Sequence, residues 1–190
     1  MLILASKSPR RQELLNLIGV EFTVKASNIN EEGVLATTSS ELAVSLATLK
    51  GLEVSRKYPN PVLAADTVVE IEGEFLGKPQ DENQAIEMLR KLSGRYHNVV
   101  TGVVICQRGQ ILDSFSELTK VYFKKLTEEE INWYVKTKDP FDKAGGYGIQ
   151  TQGGIFVEKI EGCYFNVVGL PLAKTANSLR KLGLYKLKVN

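Results

Sequence analysis

A mixed α/β fold is the expectation from three features of the chain. Segments with apolar residues three and four apart, opened by Ser, Thr or Asp and closed by Gly, are interspersed with apolar or alternating runs of strand length. Several of those runs are joined by very short turns, "EGE" and "RGQ", which signal hairpins and hence antiparallel pairing. Neither G-x-G-x-x-G nor G-x-x-x-x-G-K-[ST] occurs, so the hairpins come without the fingerprints of the two commonest nucleotide-binding folds. No repeat, low-complexity tract or Pro/Ser-rich linker intervenes, so residues 1–190 read as a single, bilobed domain.

The elements follow in order. "LILA" is a buried strand, and Ser8, Pro9 and Gly19 frame a helix over "PRRQELLNLIG" whose apolar face is Leu14, Leu15, Leu17 and Ile18. "EFTVK" alternates as a strand, and the polar connection "ASNINEEGVLA" leads to a T-x-x-E box at Thr38 and Glu41. That box opens a long helix with the stripe Leu42, Leu46 and Leu49. "VLAADTVVEI" and "FLGK" form one hairpin. A helix capped by Asp81 and stopped by Gly94 follows, and "YHNVVTGVVICQ" with "ILDSFSELTKVYF" forms a longer hairpin. Thr127 and Glu130 repeat the capping box before "INWYVKT". Beyond the irregular "DPFDKAGGYGIQTQGG" come "IFVEKI", a turn at Glu161-Gly162, "YFNVVG" and a last helix from Pro171. The basic tail reads as a solvated helix end with a short strand or loose terminus.

Composition excludes several function classes. The chain is 43% hydrophobic and 24% charged, ordinary values for a globular protein, and its net charge of +2 argues against nucleic acid as a partner. "MLILA" is too short for a signal-peptide core, and no apolar run approaches the roughly 18 residues of a membrane span, so a cytoplasmic protein with no membrane partner is expected. Cys106 and Cys163 read as structural thiols. With His97 as the only histidine, a His/Cys zinc site or a histidine-based triad has little to draw on; His97 reads as the start of a strand.

What stands out is "ASKSPRRQ". Arg10 and Arg11 sit in the first turn of a helix, where the macrodipole disfavours cations by some tenths of a kcal/mol each. A multivalent anion reverses that penalty, with Ser6, Lys7, Ser8, Arg10, Arg11 and free N–H groups converging on it. On those terms, removing either arginine from the anion-free protein costs little stability or adds some. Asp66, an acid among Ala64, Ala65, Val68 and Val69, requires a cation: in a strand-end ion pair, at a metal, or as a general base. Glu31 and Glu32 are the carboxylates placed to complete a Mg²⁺ or Mn²⁺ site with it. Lys50, Lys78 and Lys143 add charge enough for a triphosphate, and "KAGGYGIQTQGG" offers Tyr147 for stacking and Gln150 for hydrogen bonding to a base.

Taken together, "LASKSPRRQELL", "AADTVV", "LGKP", "LSGRYHNVVTGV", "DKAGGYGIQ" and "NVVGLPL" resemble, in order and spacing, the Maf-like nucleoside triphosphate pyrophosphatases. The resemblance runs from Leu4 to about Leu172. It implies a fold like that of the inosine triphosphate pyrophosphatases, a bent mixed, largely antiparallel sheet with flanking helices and two lobes around a deep cleft. It also implies hydrolysis of a nucleoside triphosphate to monophosphate and pyrophosphate with a divalent cation. By position, Asp66 matches the family's catalytic acid. Ser6, Arg10, Arg11, Glu31, Lys50 and Lys78 match its phosphate- and metal-binding set, and Arg10, Thr67 and Gln150 match positions linked to substrate choice. "DKAGGYGIQ" resembles the subgroup acting on dTTP and UTP, as distinct from the one preferring 7-methyl-GTP. Thr151 departs from the family's usual Gly, and Cys163 from a common polar residue.

Two functions of different class are therefore expected to compete: an enzyme cleaving the α–β anhydride with metal-activated water, or a non-catalytic nucleotide sensor regulating cell division and septum formation through a protein partner. Asp66 separates them, because a pure binder gains nothing from an anion facing phosphates unless a metal lies between. A homodimer stays open.

Overall fold

The computed structural model describes residues 1–31 and 33–187. Glu32, a candidate carboxylate for the metal site, and the last three residues of the tail lie outside the described residues. Within that range the strands form one seven-stranded sheet in the order β2-β1-β3-β5-β6-β7, with β4 added to β3. β1 (Leu2–Leu4) lies parallel to both β2 (Phe22–Val24) and β3 (Val62–Ile71). All other pairings are antiparallel: β3 with β4 (Glu74–Leu76) and β5 (Tyr96–Gln107), β5 with β6 (Gln110–Phe123), and β6 with β7 (Val157–Glu161). Both expected hairpins form on two-residue loops, Glu72-Gly73 and Arg108-Gly109. All four residues have positive φ, the mirror-image turn that matches strand twist.

The pairing of β3 creates the site. Along one edge β1 holds Val62 and Leu63 and β4 holds Val69 to Ile71, so the stretch between them, Ala64 to Val68, has no strand on that side. The other edge is continuously paired with β5, with Asp66 opposite Gly102. A carboxylate that strand propensity disfavours thus sits at a gap in the sheet rather than inside it.

Helix α2 (Ser39–Lys57) lies across this sheet and is capped by Thr38, whose hydroxyl accepts from Glu41 N at 3.1 Å. The Glu41 carboxylate closes the box one residue early, accepting from Thr37 N and Oγ1 at 2.9 Å. Its contact face is Ala43, Ala47, Gly51 and Val54, because the backbones nearly touch. A Cβ on Gly102 would fall 2.3 Å from the Ala43 carbonyl carbon. The expected stripe through Leu49 is therefore displaced: Leu49 is 41% exposed, and Leu42, Leu46 and Lys50, four residues apart, face the cleft instead.

α1 (Pro9–Leu17) buries Leu14 and Leu15, whereas Leu17, about 200° around the helix from Leu15, is 67% exposed and not part of the expected face. α3 (Glu82–Leu92) carries the Asp81 cap, and α4 (Glu128–Lys136) carries both bonds of the Thr127–Glu130 box. Residues 139–156 make three short 3₁₀ turns. "YFNVVG" is a single helical turn, α5 (Tyr164–Val168), before α6 (Leu172–Lys181). The tail is neither strand nor loose as far as Tyr185, whose hydroxyl donates to Ile18 O at 2.6 Å while Leu184 packs on the core. No described helix is long and apolar enough to cross a membrane. Two apolar clusters flank the β3 gap, one with Leu89, Val121, Phe123, Tyr134 and Phe156, the other with Leu4, Leu15, Leu63, Ile105 and Leu179.

Candidate active site

Between those clusters opens a cleft of about 870 Å³, within the range of small-molecule sites. Six cationic side chains line it, Lys7, Arg10, Arg11, Lys50, Lys78 and Lys143, against three carboxylates, Glu31, Asp66 and Asp142. The surplus of three exceeds the +2 of the whole chain, so the positive potential is concentrated where a polyanion would lie.

At the floor, the β3 gap presents Asp66 and α2 presents Lys50, each with only 14% of its side chain exposed. The Lys50 ammonium contacts Asp66 and lies 3.0 Å from Glu31 Oε1. Glu31 and Asp66, which the sequence pairs as carboxylates of one metal site, thus share a charge cluster with Lys50. Close helix–sheet packing at Gly102 is what brings Lys50 this near.

On the α1 side the two arginines behave differently. Arg10, 26% exposed, donates to Asp142 Oδ2 at 3.1 Å across the cleft. Arg11 turns inward. Its Nε donates to Gly169 O at 2.9 Å, Nη1 to Ser6 Oγ at 3.2 Å and Nη2 to Thr67 Oγ1 at 3.1 Å. Burial lowers the affinity of this guanidinium for its proton, Asp66 and Glu31 oppose that, and neighbouring Arg10 adds to it. Three of five N–H donors are thereby committed to neutral acceptors of the fold, leaving two for a ligand. Ser6, with 9% exposure, also accepts from Ser8 N at 3.2 Å, and Ser8, though at the N-cap position, makes no side-chain capping bond.

Thr67 extends the Arg11 contact into the sheet: its hydroxyl lies 2.9 Å from Thr101 Oγ1, and Thr101 is bonded through both N and Oγ1 to Asn166 at 3.0 Å. Asn166 is fully buried and also donates to Val99 O and Thr119 Oγ1 at 2.9 Å. Sequence reasoning gave Asn166 no role, yet an amide in the apolar run "YFNVVG" must find partners once buried, and that was the available signal.

The opposite wall is the 139–151 segment. Lys143 reaches it with 8% exposure but donates to Asp139 O at 2.8 Å, to Asp139 Oδ1 at 2.9 Å and to Asp142, so all three of its protons are engaged. Burial alone would raise the Asp142 carboxyl; hydrogen bonds from Lys143 and Arg10 outweigh it and hold the group below its ordinary value. Tyr147, expected to stack on a base, is instead a core residue. It is 5% exposed, sits edge-on to His97 and Phe123, and has its hydroxyl 2.7 Å from His97 Nε2. Gln150 is exposed at the cleft, and its side chain has no partner among the described residues. Lys78 likewise lines the cleft with no ion pair among the described residues. His97 does not line it, and burial drives its pKa down to about 3, so imidazole chemistry has no place at this site.

As to metals, no group of three or more His, Cys, Asp and Glu is assembled among the described residues. Glu31 and Asp66, converging on one ammonium, make a two-carboxylate donor set. That suits a hard divalent ion which completes its shell with phosphate oxygens and water, and does not suit zinc or an all-protein calcium cage.

A mixed sheet split at β3, with Asp66 at the gap and a surplus of cations in the adjoining cleft, defines an α/β protein whose cleft electrostatically favours an anionic ligand. Its family follows from comparison: residues 1–182 match the Maf family, described as Maf-like protein, and the chain belongs to that family. A dTTP/UTP pyrophosphatase of Carboxydothermus hydrogenoformans is 52% identical over 182 residues, which are 95% of this chain and 97% of that protein. Another from Thermosipho africanus is 50% identical over 96% of this chain and 94% of its own length. A third, from a Geobacillus species, is 51% identical over 96% and 98%. Among solved structures, a HAM1 protein from Coxiella burnetii superposes with a TM-score of 0.47 at 17% identity, covering 64% of this chain and 72% of that one.

Proposed function

We propose that this protein hydrolyses nucleoside triphosphates, dTTP and UTP above all, to the monophosphate and pyrophosphate. The observation that carries the reading is the convergence in one cleft of Asp66, Glu31 and Lys50 beneath a surplus of cations. Relatives named dTTP/UTP pyrophosphatase, aligned over nearly the whole chain, agree with it.

In this reading Arg10, Lys78 and Lys7, with the remaining donors of Arg11 and the Ser6 and Ser8 hydroxyls, bind the β- and γ-phosphates. They stabilise the negative charge that builds on pyrophosphate as it leaves. Asp66, held by Lys50, accepts a hydrogen bond from the attacking water and orients it at the α-phosphorus. Glu31 and Asp66 would hold a Mg²⁺ or Mn²⁺ ion, which supplies charge neutralisation and a more acidic water when bound. Lys143 supports the wall that carries Asp142 rather than meeting phosphate first. Gln150 faces the base: its amide can donate and accept, which suits the O4 and N3–H edge shared by uracil and thymine.

The test is a panel of UTP, dTTP, CTP, ATP and GTP with Mg²⁺ or Mn²⁺, with monophosphate and pyrophosphate quantified separately. UTP and dTTP should lead, pyrophosphate should form in step with monophosphate, and a chelator should stop turnover. Diphosphate plus orthophosphate as products would overturn the reaction. Equal kcat/KM for purine and pyrimidine substrates would overturn the base preference alone.

A further inference from the structure

The turn that carries Gln150 is fastened at both ends. At one, Gly148 N donates to Tyr134 Oη at 3.0 Å. At the other, Thr151 N lies 3.3 Å from Gly148 O, and the Thr151 hydroxyl, 3.0 Å from that same oxygen, donates to Asp139 Oδ2. Tyr134 donates its hydroxyl to the same Asp139 oxygen, so one carboxylate anchors both ends. Burial would raise the Asp139 carboxyl, but the bonds from Thr151, Tyr134 and Lys143 prevail and hold it ionised below its ordinary range. There is no slack in between: a Cβ on Gly148 would fall 2.6 Å from both Lys143 Cε and Thr151 Oγ1. On this pinned backbone the Gln150 amide alone is uncommitted.

The backbone beneath an exposed side chain fixes where its amide can be presented, and a site displaced by an ångström loses much of its selectivity. The Asp139 anchor has no role in holding phosphate: its partners are two hydroxyls and a lysine already saturated by the wall. We propose that Thr151, by bonding its hydroxyl to Asp139, is a positioning residue for base selectivity that fixes where the turn presents Gln150 to the pyrimidine edge. This rests on the substrate reading given above.

The experiment compares the wild type with Thr151→Val, which keeps shape but loses the hydroxyl, and Thr151→Ser, which restores it. kcat and KM are measured for UTP and GTP by pyrophosphate release, with thermal melting of each protein. Thr151→Val should lower the UTP-to-GTP ratio of kcat/KM by about three- to tenfold, the worth of one hydrogen bond weakened by displacement of the turn, with the loss in KM for UTP. Thr151→Ser should keep the ratio within about twofold of wild type. Thr151→Ala serves if the valine variant does not fold. A ratio unchanged in Val or Ala, or a parallel loss toward UTP and GTP, would overturn the positioning role while the substrate reading stands. A wild type that does not distinguish UTP from GTP would overturn both.

Discussion

Removing Arg11 from the anion-free protein should destabilise it, contrary to what its place on a helix N-terminus suggests. By helix electrostatics alone, Arg11→Ala relieves a few tenths of a kcal/mol of repulsion. The structure adds three hydrogen bonds, to Gly169 O, Ser6 Oγ and Thr67 Oγ1, which tie α1 to β3 and to the turn between α5 and α6. Bonds from a charged donor contribute about 1.5–3 kcal/mol each in favourable cases, but truncation also abolishes a partly desolvated charge beside Arg10, which returns several kcal/mol. Water entering the cleft re-solvates part of what is left. The net expectation is a loss of about 1–3 kcal/mol. Arg10 is the control: its pair with a 62% exposed Asp142 is a surface ion pair, and Arg10→Ala should cost no more than about 0.5 kcal/mol. Urea denaturation of both variants, with m-values checked for constancy, measures the difference. An Arg11→Ala protein as stable as wild type, or less affected than Arg10→Ala, would refute the account of Arg11 as a strut.

Asp66→Asn should lower kcat by about 10²–10⁴-fold in a protein whose circular dichroism still shows the native fold, with a lowered melting temperature because Lys50 loses one of its two carboxylates; retention of more than about a tenth of the activity removes Asp66 from the chemistry. Lys50→Met should cost the metal-free protein about 2 kcal/mol, since Glu31 and Asp66 lose their shared cation, and Mg²⁺ should raise its melting temperature more than that of wild type. His97 is neutral in the fold with its pKa at about 3 but takes up a proton near pH 6.5 when unfolded. Below pH 6.5 the unfolded chain therefore binds more protons, and stability falls as pH falls. Between pH 6.5 and 5, above most carboxylate titrations, the slope should approach about 1.4 kcal/mol per pH unit and should vanish in His97→Phe.

What was legible in the sequence was local. The N-caps at Thr38, Asp81 and Thr127 form, the box at Thr38 closing on Thr37 instead, and both hairpins turn within "EGE" and "RGQ", because each depends on a few neighbouring residues. The residues of the candidate site were also legible as motifs, and all of those within the described chain line one cleft: Ser6, Ser8, Arg10, Arg11, Glu31, Lys50, Asp66, Thr67, Lys78, Lys143 and Gln150. Illegible was whatever depends on a distant partner. That Leu49 faces out and Lys50 faces the cleft follows from how close Gly102 lets α2 approach. That Tyr147 is core and Lys143 is saturated follows from His97, Asp139 and Asp142 arriving from other elements. The gap along β3 depends on where β1 stops and β4 begins, a register that no single stretch encodes.

Exposure also ranks the cations of the cleft by how readily each would exchange its partners for the phosphates of the proposed substrate. Lys7 and Lys78 have no ion pair among the described residues and can meet an incoming anion at once. Lys143 and Lys50 are the least available. At 8% and 14% exposure each is clasped by two carboxylates, and stripping one partner from a buried pair costs several kcal/mol. Arg10 lies between these limits. Its single carboxylate is exposed, so leaving it costs at most about 1 kcal/mol, less than one charge-assisted bond to phosphate returns. Among the described residues the Arg10–Asp142 pair is the one ion pair spanning from α1 to the 139–151 wall, so on the proposed reading the exchange of Asp142 for phosphate would also free the two sides of the cleft to adjust around the nucleotide. The arginine that looked misplaced on a positive helix end is thus the one whose partner is cheapest to give up, while its neighbour Arg11 holds that helix end in place.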